Sequence, residues 1–198
     1  MTGPRLAGSG LHLWRGDRHV LRGISFAVEG GTALHVRGPN GAGKTSFLRV
    51  VCGLLHAEEG SVTWNGKDAR AGDSGFLEAL AYLGHEPALK GDLTVAENLR
   101  FDIGLRRRVD EAQLVSTLRS FGVEACLDLP CRVLSAGQRR RVALSRVVLS
   151  GATLWILDEP FTNLDAASCE RISEALSAHL QAGGLALVAA HHGLNLRA

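Results

Sequence analysis

Residues 38–46 read Gly38-Pro39-Asn40-Gly41-Ala42-Gly43-Lys44-Thr45-Ser46, and this stretch decides the fold. Gly38 to Thr45 fits GxxxxGK[ST]. The context gives the pattern its meaning: the apolar segment 32–37 before it predicts a strand, and the segment 44–55 after it predicts a helix. Glycines let successive backbone N–H groups turn inward around phosphate oxygens, and a helix start offers partial positive charge to the same anion. On this reading residues 38–46 cradle the phosphates of a nucleotide. Lys44 reaches the β- and γ-phosphates, and Thr45 ligates Mg²⁺. The alternative is a glycine-rich turn that matches by chance, and the flanking strand and helix weigh against it. Alone, the stretch implies ATP or GTP binding and no more.

Downstream, the apolar segment 154–157 runs into Asp158-Glu159-Pro160. Carboxylates are costly to desolvate, so two acids at the end of a buried strand need a reason, and a Mg²⁺ ion supplies one. Asp158 would hold the metal, and Glu159 would orient, or take a proton from, the water attacking the γ-phosphate. The competing reading is a pair of exposed acids capping the next helix. Further strands are predicted at 11–14, 24–28, 61–64 and 185–190, and helices at 137–149 and 166–181. Between them, residues 87–133 carry apolar side chains at three- and four-residue spacing over 95–101 and 111–121. The expected architecture is α/β: a P-loop NTPase domain spanning 1–198, with a mostly parallel sheet, an N-terminal β subdomain and a helical subdomain near 87–133.

Composition narrows the function. With 198 residues, 45% of them hydrophobic, the chain can build one substantial core but not a second large domain. Its 22 basic and 20 acidic residues leave a net charge of +2, too mild to argue for nucleic acid. No apolar run is long enough for a bilayer span, and the N-terminus has none long enough for a signal peptide. A membrane process would therefore need another chain. Cys52, Cys126, Cys131 and Cys169 form no CxxC pair; they read as small buried residues in a reducing compartment.

Leu134-Ser135-Ala136-Gly137-Gln138, followed by Arg139-Arg140-Arg141, resembles the signature of ATP-binding-cassette (ABC) ATPases, usually LSGGQ, with Ala136 in place of a glycine. The order of phosphate loop, signature and acidic pair matches that family over nearly the whole chain. The resemblance implies that Ser135, Gly137 and Gln138 contact ATP held by the phosphate loop of a second ATPase subunit, so that the working unit is a dimer. Asn163-Leu164-Asp165 looks like the family's D-loop, with Asp165 at the dimer seam. His191, followed by His192, looks like the switch histidine, a catalytic residue beside Glu159. Two positions depart from the pattern. Glu86, in Leu83-Gly84-His85-Glu86-Pro87, replaces the Q-loop glutamine and would bind Mg²⁺ or its water. Trp14 is the one aromatic near the adenine position, either stacking on the base or packing as structure.

The segments 82–101, 134–146 and 155–165 are similar to the ATPase subunit of the haem exporter used in cytochrome c maturation. That resemblance implies a peripheral subunit on the cytoplasmic face of the bacterial inner membrane, using ATP and Mg²⁺. It would dock on a membrane-spanning permease around residues 86–93 and the helical block. No CxxCH or axial-ligand pattern points to haem in the chain itself. Arg106-Arg107-Arg108 reads as a solvated basic turn or as a contact to anionic head groups. Other readings are a soluble iron–sulfur-assembly ABC ATPase, a cassette of another ABC exporter, and a translation or DNA-maintenance ATPase. The last usually carries two cassettes or long coiled coils. A regulatory cassette without turnover is a further reading, against which Lys44, Asp158, Glu159 and His191 speak.

Overall fold

The computed structural model describes residues 3–69 and 74–190. Its strands form two four-stranded sheets. One is antiparallel, in the order β2-β1-β4-β5, built from β1 (Arg5–Arg15), β2 (Arg18–Glu29), β4 (Glu59–Trp64) and β5 (Lys67–Asp68). The other is parallel, in the order β3-β8-β7-β6, built from β3 (Ala33–Val36), β6 (Leu80–Leu83), β7 (Leu154–Asp158) and β8 (Leu185–Ala189). The first hairpin is much longer than the segments 11–14 and 24–28 predict. Register shifts between Gly8 and Trp14 break its alternation, and a broken alternation hides a strand from a period-two search. The strand β6 was not foreseen at all, because a four-residue apolar run is ambiguous between strand and helix.

The parallel sheet lies between two apolar layers. Along β7, Leu154 and Ile156 pack with the antiparallel sheet and the helix α1 (Lys44–Val51). Trp155 and Leu157 pack on the other side, against α5 (Ala136–Leu149) and α6 (Ala166–Gln181). The two-residue period of a strand makes this division. The same parity assigns Asp158 to the α1 side, where its charge and burial together push up the pKa of Cys52, the C-cap of α1. A short helix, α2 (Ser74–Ala79), leads into β6.

The helices α3 (Val95–Gly104) and α4 (Glu111–Ser120) rest on α5 and share its apolar cluster. Caps define their starts: Thr94 and Glu97 form a capping box for α3, and Asp110 caps α4. Buried Asn98 donates to the carbonyls of Lys90, Leu93 and Thr94 and accepts from the Lys90 N–H, which pins the loop before α3. Two of the three arginines at 106–108 are staples. Arg106 donates to Leu80 O at 2.7 Å, and Arg107 donates to Leu149 O and to Gln113. Cys52, Cys126 and Cys131 are buried, and Cys169 is partly so. Among the described residues no helix is long and apolar enough to cross a membrane.

Candidate nucleotide site

All the chemistry-bearing segments leave the parallel sheet at the carboxyl ends of its strands, where open α/β sheets bind ligands. The phosphate loop follows β3, Asp158 ends β7, and Ala190 follows β8 toward His191. Gly43 precedes α1 with φ 99°, and a Cβ there would come within 2.6 Å of Val20 Cγ1. Only glycine lets this turn close against β2. No side chain caps α1, and its first turn carries no acid. Its leading N–H groups and dipole are therefore left for an anion. Lys44 Nζ donates to Gly38 O at 2.9 Å and lies 3.8 Å from Glu159 Oε1. The surrounding cavity, ≈ 560 Å³, takes in residues 39–46, Arg15, Arg18, His85 and Glu159.

Asp158 is 1% exposed, and neither of its carboxylate oxygens has a hydrogen-bond partner among the described residues. Burying a charge so poorly compensated costs roughly several kcal/mol. That cost fits a site prepared for a cation, with Thr45 in the first turn of α1 as the second protein oxygen. Among the described residues no three His, Cys, Asp or Glu side chains cluster around a metal position. Glu159 adopts a left-handed backbone, φ 51°, and its N–H donates to Ala189 O at 2.8 Å.

The signature segment is built differently. Ser135 caps α5: its Oγ accepts from the Gln138 N–H, and Gln138 Oε1 accepts from the Ser135 N–H at 2.8 Å. The hydroxyl proton of Ser135 stays available to a ligand. Ala136 is exposed, so its methyl group meets solvent and the departure from glycine is harmless. Gly137 has no such latitude, because a Cβ there would lie 2.9 Å from Asn163 O. Asp165 caps α6 through the Ser168 N–H. Ser135, Gly137 and Gln138 are not among the described residues around this chain's own phosphate loop.

Trp14 stacks on His19 at 3.9 Å and 9°, with His12 beyond, and does not line the cavity. The register pairs Trp14 with His19 across the hairpin, which puts its ring on that strand face. Arg15 and Arg18 line the cavity instead, and Arg18 donates to Gly41 O at 2.6 Å. Glu86 is exposed and outside the cavity, where its neighbour His85 is found. His191 and His192 lie outside the described residues.

Arg140, which sequence reasoning passed over as one of a basic run, is 4% exposed. Its signal was legible. It extends the buried stripe of Ala143, Leu144 and Val147 back by one turn, at the spacing of one helix face.

An uncapped helix start, a buried acid without a hydrogen-bond partner on the α1 side of the sheet and a serine-capped signature helix together point to a class, and comparison agrees. The ABC transporter family model matches residues 21–162, and the chain belongs to that family. Over its full length it is 43% identical to the cytochrome c biogenesis ATP-binding export protein CcmA of Methylococcus capsulatus, covering 100% of this chain and 96% of that one. The protein of the same name from Aromatoleum aromaticum is 47% identical over 95% of this chain and 89% of its own. Among solved structures, an ATP binding subunit of an ABC transporter aligns with a TM-score of 0.85 at 27% identity, covering 94% of this chain and 79% of that one.

Proposed function

We propose that this chain is the ATP-hydrolysing subunit of an ABC transporter that drives a haem export or delivery step in c-type cytochrome biogenesis. The catalytic part of the reading rests on one observation: the Asp158 carboxylate is buried with no hydrogen-bond partner among the described residues, next in sequence to Glu159, which faces Lys44. Phosphates of ATP enter at the uncapped start of α1. Lys44 exchanges the Gly38 carbonyl for phosphate oxygens and releases Glu159 as it does so. Thr45 and Asp158 hold Mg²⁺, which neutralises phosphate charge when bound. Glu159 then orients the attacking water and takes its proton. By family resemblance, His191 meets the γ-phosphate.

Ser135, Gly137 and Gln138 serve the nucleotide of a second copy. The exposure of Ser135, the partial exposure of Gly137 and Gln138, and the position of all three outside the described lining of this chain's own cavity support the dimer. The helical segment 87–133 is a subdomain of one ATPase domain. A groove beside it, lined by Leu77, Leu80, Ile103 and Leu105 with exposed Leu54 at its rim, suits a membrane-spanning permease. The subunit would then sit peripherally on the cytoplasmic face of the inner membrane. The names of its relatives place those proteins in cytochrome c biogenesis and export, and this supports the choice of cargo.

Affinity purification from gently solubilised membranes tests the assignment. A cytochrome c maturation membrane complex with bound haem is the expected catch. A different permease would retain the ATPase and discard haem. A purely soluble partner would favour the iron–sulfur-assembly reading.

A further inference from the structure

We infer that Arg140 is a positioning residue for hydrolysis, holding the Glu159 backbone in the conformation that keeps its carboxylate at the phosphate loop. The inference rests on Glu159 acting as the base in the reading above. Arg140 lies in the second turn of the signature helix α5, and its guanidinium reaches into the protein. One terminal nitrogen, Nη1, donates to Gly84 O at 2.8 Å and to His85 O at 3.1 Å. The other, Nη2, donates to Asp158 O and to Glu159 O, the latter at 2.7 Å. One side chain thus joins the signature helix, the segment after β6 and the end of β7.

This arrangement is an expensive way to fill a core. An apolar residue of similar volume often serves stability as well or better. Burial pushes the Arg140 pKa down, while Asp158, Glu159 and Glu86 pull it back up. The guanidinium provides something an apolar residue cannot, a planar fork that spans two pairs of carbonyls at once.

What the fork holds is a strained backbone. Glu159 has φ 51°, and a non-glycine residue in the left-handed region costs about 1–3 kcal/mol unless its surroundings fix it. The Glu159 N–H is fixed by Ala189 O, and its carbonyl by Arg140. With the carbonyl released, the residue relaxes toward negative φ and its carboxylate leaves the neighbourhood of Lys44. A displacement of about 1 Å at a reacting group can lower a rate by roughly a hundredfold. Arg140 touches neither nucleotide nor water in this scheme; it acts through Glu159.

The test uses the full-length protein carrying Arg140→Lys and, separately, Arg140→Gln, each alone and combined with Glu159→Gln. Lysine retains the charge but cannot bridge both carbonyl pairs with one nitrogen, so it probes position without emptying the core. The readouts are phosphate release, affinity for a fluorescent ATP analogue, the thermal midpoint and the ATP-dependent dimer on gel filtration. The expected result is a kcat lowered by roughly ten- to a hundredfold, with nucleotide affinity unchanged, ATP-bound dimer accumulating and lysine less impaired than glutamine. In the Glu159→Gln background neither change should lower kcat further, since both act on one group. Unchanged kcat in the folded lysine variant, or losses that add to those of Glu159→Gln, would overturn the inference. So would a loss of nucleotide affinity that tracks the thermal midpoint. Normal turnover by Glu159→Gln alone would instead remove the assignment of Glu159 as the base.

Discussion

Around Lys44 the chain closes on itself, whereas around Ser135 it stays open. At the phosphate loop, Lys44 and Glu159 face each other with side chains 9% and 17% exposed, and Asp158 is buried behind them. At the signature, Ser135 is exposed, caps its own helix with Gln138, and is not among the described residues lining the phosphate-loop cavity of the same chain. On the proposed function the first region binds nucleotide within one chain, while the second holds donors at a helix start for a ligand brought to it. That division is what the proposed dimer would join.

The largest effect should come from the closed region. Glu159→Gln should cut ATP hydrolysis by roughly a hundred- to a thousandfold, leave ATP affinity intact and trap a nucleotide-bound dimer on gel filtration. Lys44→Ala should act earlier. It removes the charge that meets the phosphates, so a fluorescent-nucleotide titration should show weakened binding, with hydrolysis falling as a consequence. Intact affinity in that variant would break the contrast, because the closed region would no longer be where nucleotide binds.

The open region should behave in the opposite order. Gly137→Ala drives a methyl group toward Asn163 O and should destabilise the protein by ~1–3 kcal/mol. It should abolish dimer-dependent hydrolysis while the monomer still titrates nucleotide normally. Its neighbour is the control. Ala136→Gly should cost no more than about 1 kcal/mol, the usual price of glycine in a helix, and should keep its activity. Equal effects at both positions would mean that the contact between Gly137 and Asn163 is unimportant.

The smallest effect lies in the scaffold and separates loss of activity from loss of fold. His179 stacks on Trp155 at 3.9 Å, and burial holds its pKa below the ordinary 6.5. As pH falls through about 6.5, the unfolded chain takes up this proton before the folded one does. The contribution of His179 is thus fully present above that pH and is lost below it. The thermal midpoint should drop on acidification, and less so in His179→Gln.

The closed region was also the more legible in sequence. GxxxxGK[ST] and a strand ending in two acids are local patterns, and residues 39–46 and Glu159 line one cavity. What escaped was set by register and by neighbours distant in sequence. Trp14 read either as a platform for the adenine or as structural packing, and its ring stacks on its cross-strand partner His19. The place of His85 in the cavity depends on how β6 ends, and β6 itself was not foreseen. The burial of Arg140 was legible on the apolar face of α5, whereas the staples Arg106 and Arg107 read as a solvated basic turn or a head-group contact, because charged residues are usually solvated. Their partners are carbonyls, which no sequence displays.

Those carbonyls have a consequence for the seam between the helical block and the sheet. Arg106 and Arg107 grip Leu80 and Leu149 across it, Arg140 grips residues 84, 85, 158 and 159, and Arg141 grips Phe121 and Gly122. In each contact an arginine guanidinium donates to a backbone carbonyl, an acceptor that cannot titrate. A joint of this kind has no acid set point at which it lets go, and counter-ions weaken a charge–dipole contact less than a surface ion pair. It is a pin insulated from the acidity of the medium, and on the proposed function ATP would have to be what moves the parts it joins.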